Sequence, residues 1–259
     1  MLRFQTGLIT AFGLLTALGA IGGDALAQSA SEPGGSKAPI KSVVELFTSQ
    51  GCSSCPAADK LLENTYIRRD GVLALSFNVD YWDYIGWKDT LASPKFTKRQ
   101  RQYASTRGDG QVYTPQTVIN GVVHAVGSDR SAIEAALTRS SSATAANWVS
   151  VDLKSDGQNV VVNCAGNADA GKAKDATLWL AQVTRKITVP VARGENAGRT
   201  ITYHNVVRDL MPIGMWNGQP LTVRLDRRSV QTSDTEFLAV LLQQGPAGPI
   251  IGAATLAAK

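Results

Sequence analysis

The sequence predicts an α/β unit over residues 41–140, ordered as βαβ, helix, β-hairpin and helix, followed by a mostly-β, sandwich-like segment over residues 148–259. Three observations carry that reading. An apolar run, a helix-compatible stretch and a second apolar run follow one another between residues 43 and 79. Asn120-Gly121 sits between two short apolar, β-branched runs, a strong hairpin signal because both central residues of a tight turn take positive φ. Beyond residue 148 apolar and polar residues alternate with the period of a half-buried strand.

The amino-terminal 27 residues read as an export leader. Arg3 gives a positive start, Leu8 to Ile21 is apolar but short for a bilayer, and Ala25-Leu26-Ala27 fits a small-x-small cleavage site. An uncleaved leader acting as an anchor is the alternative. Residues 28–40 are rich in Ser, Gly and Pro without periodicity, which predicts a flexible lead-in. No later stretch is long and apolar enough for a transmembrane helix, so the expectation is a periplasmic or secreted product with no membrane contact after cleavage.

Val43 to Phe47 has strand length and composition, and Thr48-Ser49-Gln50-Gly51 breaks it just before Cys52. Pro56 to Glu63 suits a helix, proline being tolerated in the first turn. Val72 to Val79 is the second strand, so the pair should be parallel. Ser93 caps a helix that starts at Pro94 and runs toward Thr106. The hairpin follows, and Ser131 with Glu134 has capping-box spacing in a last helix from Ser128 to about Arg139. Ser140 to Ala146 is small and polar and reads as a linker. Seven strand candidates then suggest a second, β-rich domain, beginning with Val149-Val151-Leu153 and Val160-Val162-Cys164.

The chain has 259 residues, of which 44% are hydrophobic and 18% charged, which excludes a disordered tail or a small disulfide-stapled peptide. Its net charge of +5 comes without a long single-sign run, so nucleic acid is not an expected partner. The basic stretch Lys95, Lys98, Arg99, Arg101 and Arg107 reads as the wet face of one helix.

The chemistry points to cysteine. Of three cysteines, Cys52 and Cys55 are two residues apart and Cys164 is remote. Closing so small a loop constrains little of the unfolded chain, so stability is a poor reason for the pair and reactivity a better one. At the start of a helix the dipole and free amides stabilise a thiolate. Cys52 is therefore expected to be the more exposed and more acidic thiol, attacking as nucleophile, and Cys55, buried one turn on, the resolving thiol. Pro115, after Thr114, is a candidate cis residue, and a cis bond there would offer the Thr114 backbone to a bound chain. Asp80, Trp82 and Asp83 follow the second parallel strand and should stand beside Cys52, an aspartate moving a proton and aromatics lining a groove. Core tryptophans and a turn-capping Asp83 are the plainer alternative.

Strand, Cys-x-x-Cys helix, strand, helix, Thr-Pro, hairpin and helix in this order resembles the thioredoxin-like fold. More closely, Val44 to Pro56, Val79 to Trp87 and Val112 to Gln116 are similar to an exported bacterial thioredoxin-like family catalogued as a domain of unknown function. The resemblance implies redox roles for Cys52 and Cys55 and substrate contact by Thr114 and Pro115. It names no substrate. Ser53-Ser54 between the cysteines, with no preceding tryptophan, departs from the wider superfamily.

Three other readings compete. Two thiolates could begin a copper or zinc site, with His124, His204 and Cys164 as unattached candidates, each also explicable as a core or edge residue. A papain-like nucleophile segment is echoed at Gln50 to Cys55 but fails at Pro56. A noncatalytic module could keep a static disulfide and use Arg193 to Arg199 as an exposed partner loop. The reading carried forward is an exported thiol-disulfide oxidoreductase, with no diffusible cofactor or resident metal, acting on a protein or small thiol or disulfide together with a redox partner.

Overall fold

The computed structural model describes residues 38–167 and 175–258. The expected leader and residues 28–37 of the expected lead-in lie outside them. Strands β1 (Ser42–Thr48) and β2 (Val72–Asn78) pair in parallel from Ser42 with Val72 to Thr48 with Asn78. Both are near-continuous apolar runs because both faces of the sheet are covered here. On one face Val44, Leu46 and Ala74 meet helices α1 (Cys55–Leu61) and α3 (Arg130–Thr144) through Ala58, Ile133 and Leu137, with Leu62 of the π-helical turn Leu62–Tyr66 that continues α1. On the other, Phe47, Leu75 and Phe77 meet Phe96 and Tyr103 of α2 (Pro94–Arg107).

Ser93 caps α2 as its sequence requires, its side chain accepting from the Lys95 amide. The hairpin of β3 (Gln116–Ile119) and β4 (Val123–Val126) turns through Asn120 and Gly121 at φ of 48° and 71°. A Cβ on Gly121 would come within 2.3 Å of the Gly248 carbonyl oxygen, so position 121 admits no side chain. The α3 cap differs from expectation. Asp129, rather than Ser131, accepts from the Ala132 amide, and Glu134 reaches Arg69 at 2.6 Å instead of closing a capping box. The helix also continues to Thr144 and is followed by a 3-10 turn over Ala145–Asn147, so the stretch read as a linker is helical.

Among the described residues seven strands follow: β5 (Val151–Ser155), β6 (Asn159–Cys164), β7 (Ala176–Pro190), β8 (Thr200–Trp216), β9 (Leu221–Asp226), β10 (Phe237–Gln244) and β11 (Ile250–Ala257). Four of them extend the first sheet. The eight-stranded order is β11-β10-β7-β8-β2-β1-β3-β4, so strands from both expected segments, 41–140 and 148–259, share one sheet. β5-β6-β9 forms a second, three-stranded sheet. It packs Leu153, Val160, Val162 and Cys164 against Leu178, Leu180, Leu238, Val240 and Leu242 of the large sheet. A one-turn helix, α4 (Arg227–Val230), interrupts this β-rich part.

The basic face of α2 is not uniformly wet. Arg99 is buried and donates to Glu45 of β1 at 2.7 Å, to Tyr103 at 2.7 Å and to Gln243 of β10 at 3.0 Å, while Tyr103 also bonds Glu45. Two buried charges are tolerated because each is paired and hydrogen-bonded.

The β7–β8 hairpin positions the site. β8 meets β2 through a parallel bridge at Ser76 with Val206, reinforced by the Ser76 hydroxyl donating to the His204 carbonyl at 2.8 Å. Asn205, at φ 46°, lends its side-chain amide to the Ala74 carbonyl. On the far side of this junction β7 and β8 continue as an arm paired with each other as far as Pro190 and Thr200. A small cluster of Val189, Val191, Ile201 and Tyr203 seats the arm on Leu91 and Trp87. Among the described residues no helix is long and apolar enough to cross a membrane.

Candidate functional site

Beyond β1 the backbone turns through Ser49 to Ser54 before α1 begins. Gly51 donates to the Ser49 hydroxyl at 3.1 Å, Gln50 donates to the Asp89 carboxylate at 2.8 Å, and Cys55 donates to the Cys52 carbonyl at 3.2 Å. This places both sulfurs at the amino end of α1, where they form a disulfide with Cα atoms 5.4 Å apart. The expected difference in exposure between the two cysteines is all but absent. Cys52 is 1% accessible and Cys55 is fully buried.

The tip of the β7–β8 arm supplies the cover. Asn196 is wholly buried and donates from Nδ2 to the carbonyl oxygens of Gln50 and Cys52, both at 2.9 Å. The exposed Glu195 accepts from the Ser53 amide at 3.0 Å, an anion set against free amides at a helix start. That contact holds the Glu195 carboxyl below the usual carboxylate range. Gly194, at φ 78°, passes so close to Ile85 that a Cβ would meet it at 3.1 Å. The segment read as an exposed partner loop is therefore docked by its own residues onto the cysteine turn.

The loop after β2 forms another wall. A Cβ on Gly51 would stand 2.9 Å from that of Trp82, so glycine lets the two segments touch. Trp82 donates from Nε1 to the Thr114 hydroxyl at 2.7 Å and stacks on Tyr84, which is 82% exposed. Trp87 donates to the Gln50 side chain at 2.8 Å. The Thr114–Pro115 bond is cis. A Cβ on Gly127 would meet both Ala58 of α1 and Pro115 at 3.0 Å, so the proline lies against the cysteine helix. Trp82 thus links the cysteine turn at Gly51 to Thr114, and Pro115 and Ala58 of α1 share the surroundings of Gly127. Asp80 and Asp83 belong to the supporting turns: Asp80 accepts from the Thr97 hydroxyl, and Asp83 accepts the Asp89 amide at 3.0 Å.

The carboxyls beneath the cysteines are others. Asp59, four residues after Cys55 on α1, is 4% exposed, with Oδ2 accepting from Thr48 at 3.1 Å and Oδ1 unpartnered. Burial pushes its pKa well up, the Thr48 hydroxyl opposing and the charge of Asp89 adding to the rise. Asp89 is likewise raised by burial, against donors from Gln50, Asn78 and Leu91. Tyr203 of the arm is also raised by burial, and both aspartates add to that rise. Asp59 was open to sequence reasoning, because spacing from Cys55, Ala58 and Leu62 puts it on the buried stripe of α1. Asn196 carried no comparable signal.

The candidate metal ligands are engaged elsewhere. His124 meets Tyr113 at 2.8 Å and Asp109 at 3.3 Å, His204 meets Glu63 at 3.3 Å, and Cys164 lies in the apolar layer between the sheets. Burial pushes the Cys164 thiol up to about 11. Among the described residues no group of three or more His, Cys, Asp or Glu side chains is placed to hold a metal.

Fold and site define a mixed α/β protein with a large mixed sheet, a smaller second sheet and a disulfide at a helix start. The chain belongs to the family of proteins of unknown function DUF1223, whose model matches residues 43–243. It is similar to the crystal structure of an Agrobacterium tumefaciens protein from a structural genomics programme, at 38% identity and a TM-score of 0.74, over 85% of this chain and 96% of that one. A second likeness, to HBP35 of Porphyromonas gingivalis, covers 86% of this chain and 76% of that one at 15% identity and a TM-score of 0.54, and concerns the fold alone. No curated protein matches the chain.

Proposed function

We propose that the protein is an exported thiol-disulfide oxidoreductase whose working group is the Cys52–Cys55 disulfide. The observation that carries the proposal is the placement of this pair at the amino end of α1, beside Trp82 and Thr114 and one helical turn from the buried Asp59. The order of β1, α1, β2, α2, Thr114-Pro115, hairpin and α3 supports a thioredoxin-like reading of residues 41–140. Export is part of the proposal, on the leader pattern of residues 1–27.

Oxidation of a substrate dithiol proceeds in two exchanges. A substrate thiolate attacks Cys52 Sγ, the Cys52–Cys55 bond breaks, and Cys55 leaves as a thiolate that takes up a proton. The second substrate thiol loses its proton and attacks the substrate sulfur of the mixed disulfide, expelling Cys52 as a thiolate that is then protonated. The substrate loses two electrons and two protons and the cysteine pair gains both. Reduction is the reverse, and the potential of the redox partner selects the direction. Thr114 and Pro115 would hold the substrate chain, with Trp82 as the wall and Asp80 and Asp83 fixing the loop that carries it. Asp59, its carboxyl raised by burial, is placed to exchange the proton of Cys55. Access to Cys52 requires the Asn196 tip to lift.

The test is mixed-disulfide capture. Cys55→Ala should accumulate adducts through Cys52, and Cys52→Ala should accumulate few. Equal capture by both would overturn the assigned roles. The burial of Cys52 favours one second reading, a static disulfide that fixes the tip of the arm. Such a disulfide would resist a glutathione buffer that an exchanging pair follows.

A further inference from the structure

A cleft of about 540 Å3 opens between α1 and the β7–β8 arm, away from Trp82 and Thr114. Asp59 and Lys60 of α1 and Glu63 just past its end line one side of it, and Lys186 and Arg199 line it from the arm. Lys60, Lys186 and Arg199 form no ion pair among the described residues, and the half-exposed Glu63, which lines the same cleft, lies 3.3 Å from His204.

Asp59 is the independent second observation. It is 4% exposed, lines the cleft, and leaves Oδ1 buried without a partner. Buried polar atoms are paired in the large majority of cases, so an orphan on the wall of a cleft that three cations also line points to a missing ligand oxygen. Burial raises the Asp59 carboxyl, so it keeps its proton to higher pH than an ordinary aspartate and can donate to that oxygen.

We propose that this cleft binds a small organic polycarboxylate, whose carboxylate groups are held by Lys60, Lys186 and Arg199 while Asp59 meets one of its oxygens. Lysine and arginine provide charge-assisted donors, and a ligand with several carboxylates satisfies all three at once. The cleft is tied to the covered disulfide, because Arg199 donates from Nη1 to Asn196 Oδ1 at 3.1 Å while Asn196 holds the Cys52 carbonyl. An anion on Arg199 shares its guanidinium with that contact. The binding proposal does not rest on the redox reading.

Calorimetric titration of the oxidised full chain with citrate tests it, with acetate as the single-carboxylate comparison. Saturable one-to-one citrate binding that weakens with salt is expected, with acetate at least about tenfold weaker. The double variant Lys60→Glu, Lys186→Glu alters two exposed side chains and should weaken citrate by about tenfold or more. Lys154→Glu, on the small sheet and paired with Asp152, should leave it within about twofold. Absence of saturable citrate binding at millimolar concentration overturns the proposal. So does an affinity that the double variant leaves unchanged, or one that acetate equals. No thiol takes part in the titration, so its failure leaves the exchange reaction standing, and failed disulfide capture leaves the cleft standing.

Discussion

The sheet half of the β7–β8 hairpin, residues 176–183 with 206–216, lies between β10 and β2, whereas its arm is paired with itself and seated on a small cluster around Tyr203. The first half buries Leu178, Leu180 and Val183 in the two main cores. The arm faces solvent along Lys186, Thr188 and Pro190 and is pinned at its tip by Asn196. One continuous hairpin therefore has an anchored end and an end with little to unfold before it lifts. Local opening free energies range from near zero to the global value, and few buried apolar contacts place a segment at the low end. The anchored half aims the arm at Cys52, and the sparse half is the part that would have to lift in the proposed exchange.

The largest effect belongs to the anchored half. Leu180→Ala should cost about 2–5 kcal/mol of global stability, read as a lower denaturant midpoint, because the cavity lies between two sheets that cannot close on it. A cost under about 1 kcal/mol would mean that this layer is looser than its burial implies. Asn196→Ala should act on the arm instead. Losing both bonds of a buried side chain is worth about 1–3 kcal/mol locally, so reduction of the disulfide by dithiothreitol should accelerate by about tenfold or more while the global midpoint moves less than for Leu180→Ala. A midpoint shift as large as that of Leu180→Ala, with unchanged reduction, would erase the distinction between the halves.

The carboxyl beneath the arm sharpens the comparison through pH. Folding raises the Asp59 pKa, so the folded chain binds that proton more tightly than the unfolded chain. Its favourable contribution is full below the ordinary carboxylate range and declines as pH rises toward the folded value. Asp59→Asn removes this titration, so its stability relative to the parent should improve from about pH 4 upward until the folded value is passed. Paired denaturant midpoints across that range check it, and a pH-independent difference would contradict a buried, titrating Asp59. The smallest effect is expected at Glu195, exposed and bonded to the Ser53 amide. Glu195→Gln should change the reduction rate by no more than about threefold, and the change should shrink in high salt.

Much of the fold was legible. The apolar runs, the Pro56 and Pro94 helix starts and the Asn120-Gly121 turn are local signals, and each became the expected element. The capping-box spacing misled because Asp129, two residues before the predicted box, accepts from the Ala132 amide, and Arg69 from another element claims Glu134. Arg99 looked solvated because a helical basic run carries no mark of a distant partner, and Glu45 is 54 residues away. The parallel order of β1 and β2 made the closeness of the Trp82 loop to the cysteine turn readable. The cover was not. Asn196 sits in a polar, glycine-bracketed segment that reads as an ordinary hairpin loop, and only the junction of β8 with β2 brings it back across more than a hundred residues to Cys52.

The central claim is that the Cys52–Cys55 disulfide exchanges electrons although Asn196 covers it. Redox titration of the full chain in glutathione buffers of graded poise, with thiol content read by alkylation and mass, tests this most directly. The account predicts a reversible two-electron transition above about −300 mV, and faster approach to the same equilibrium in Asn196→Ala. A pair that stays oxidised in fully reduced glutathione, in both the parent and Asn196→Ala, would make it a structural bond and contradict the account.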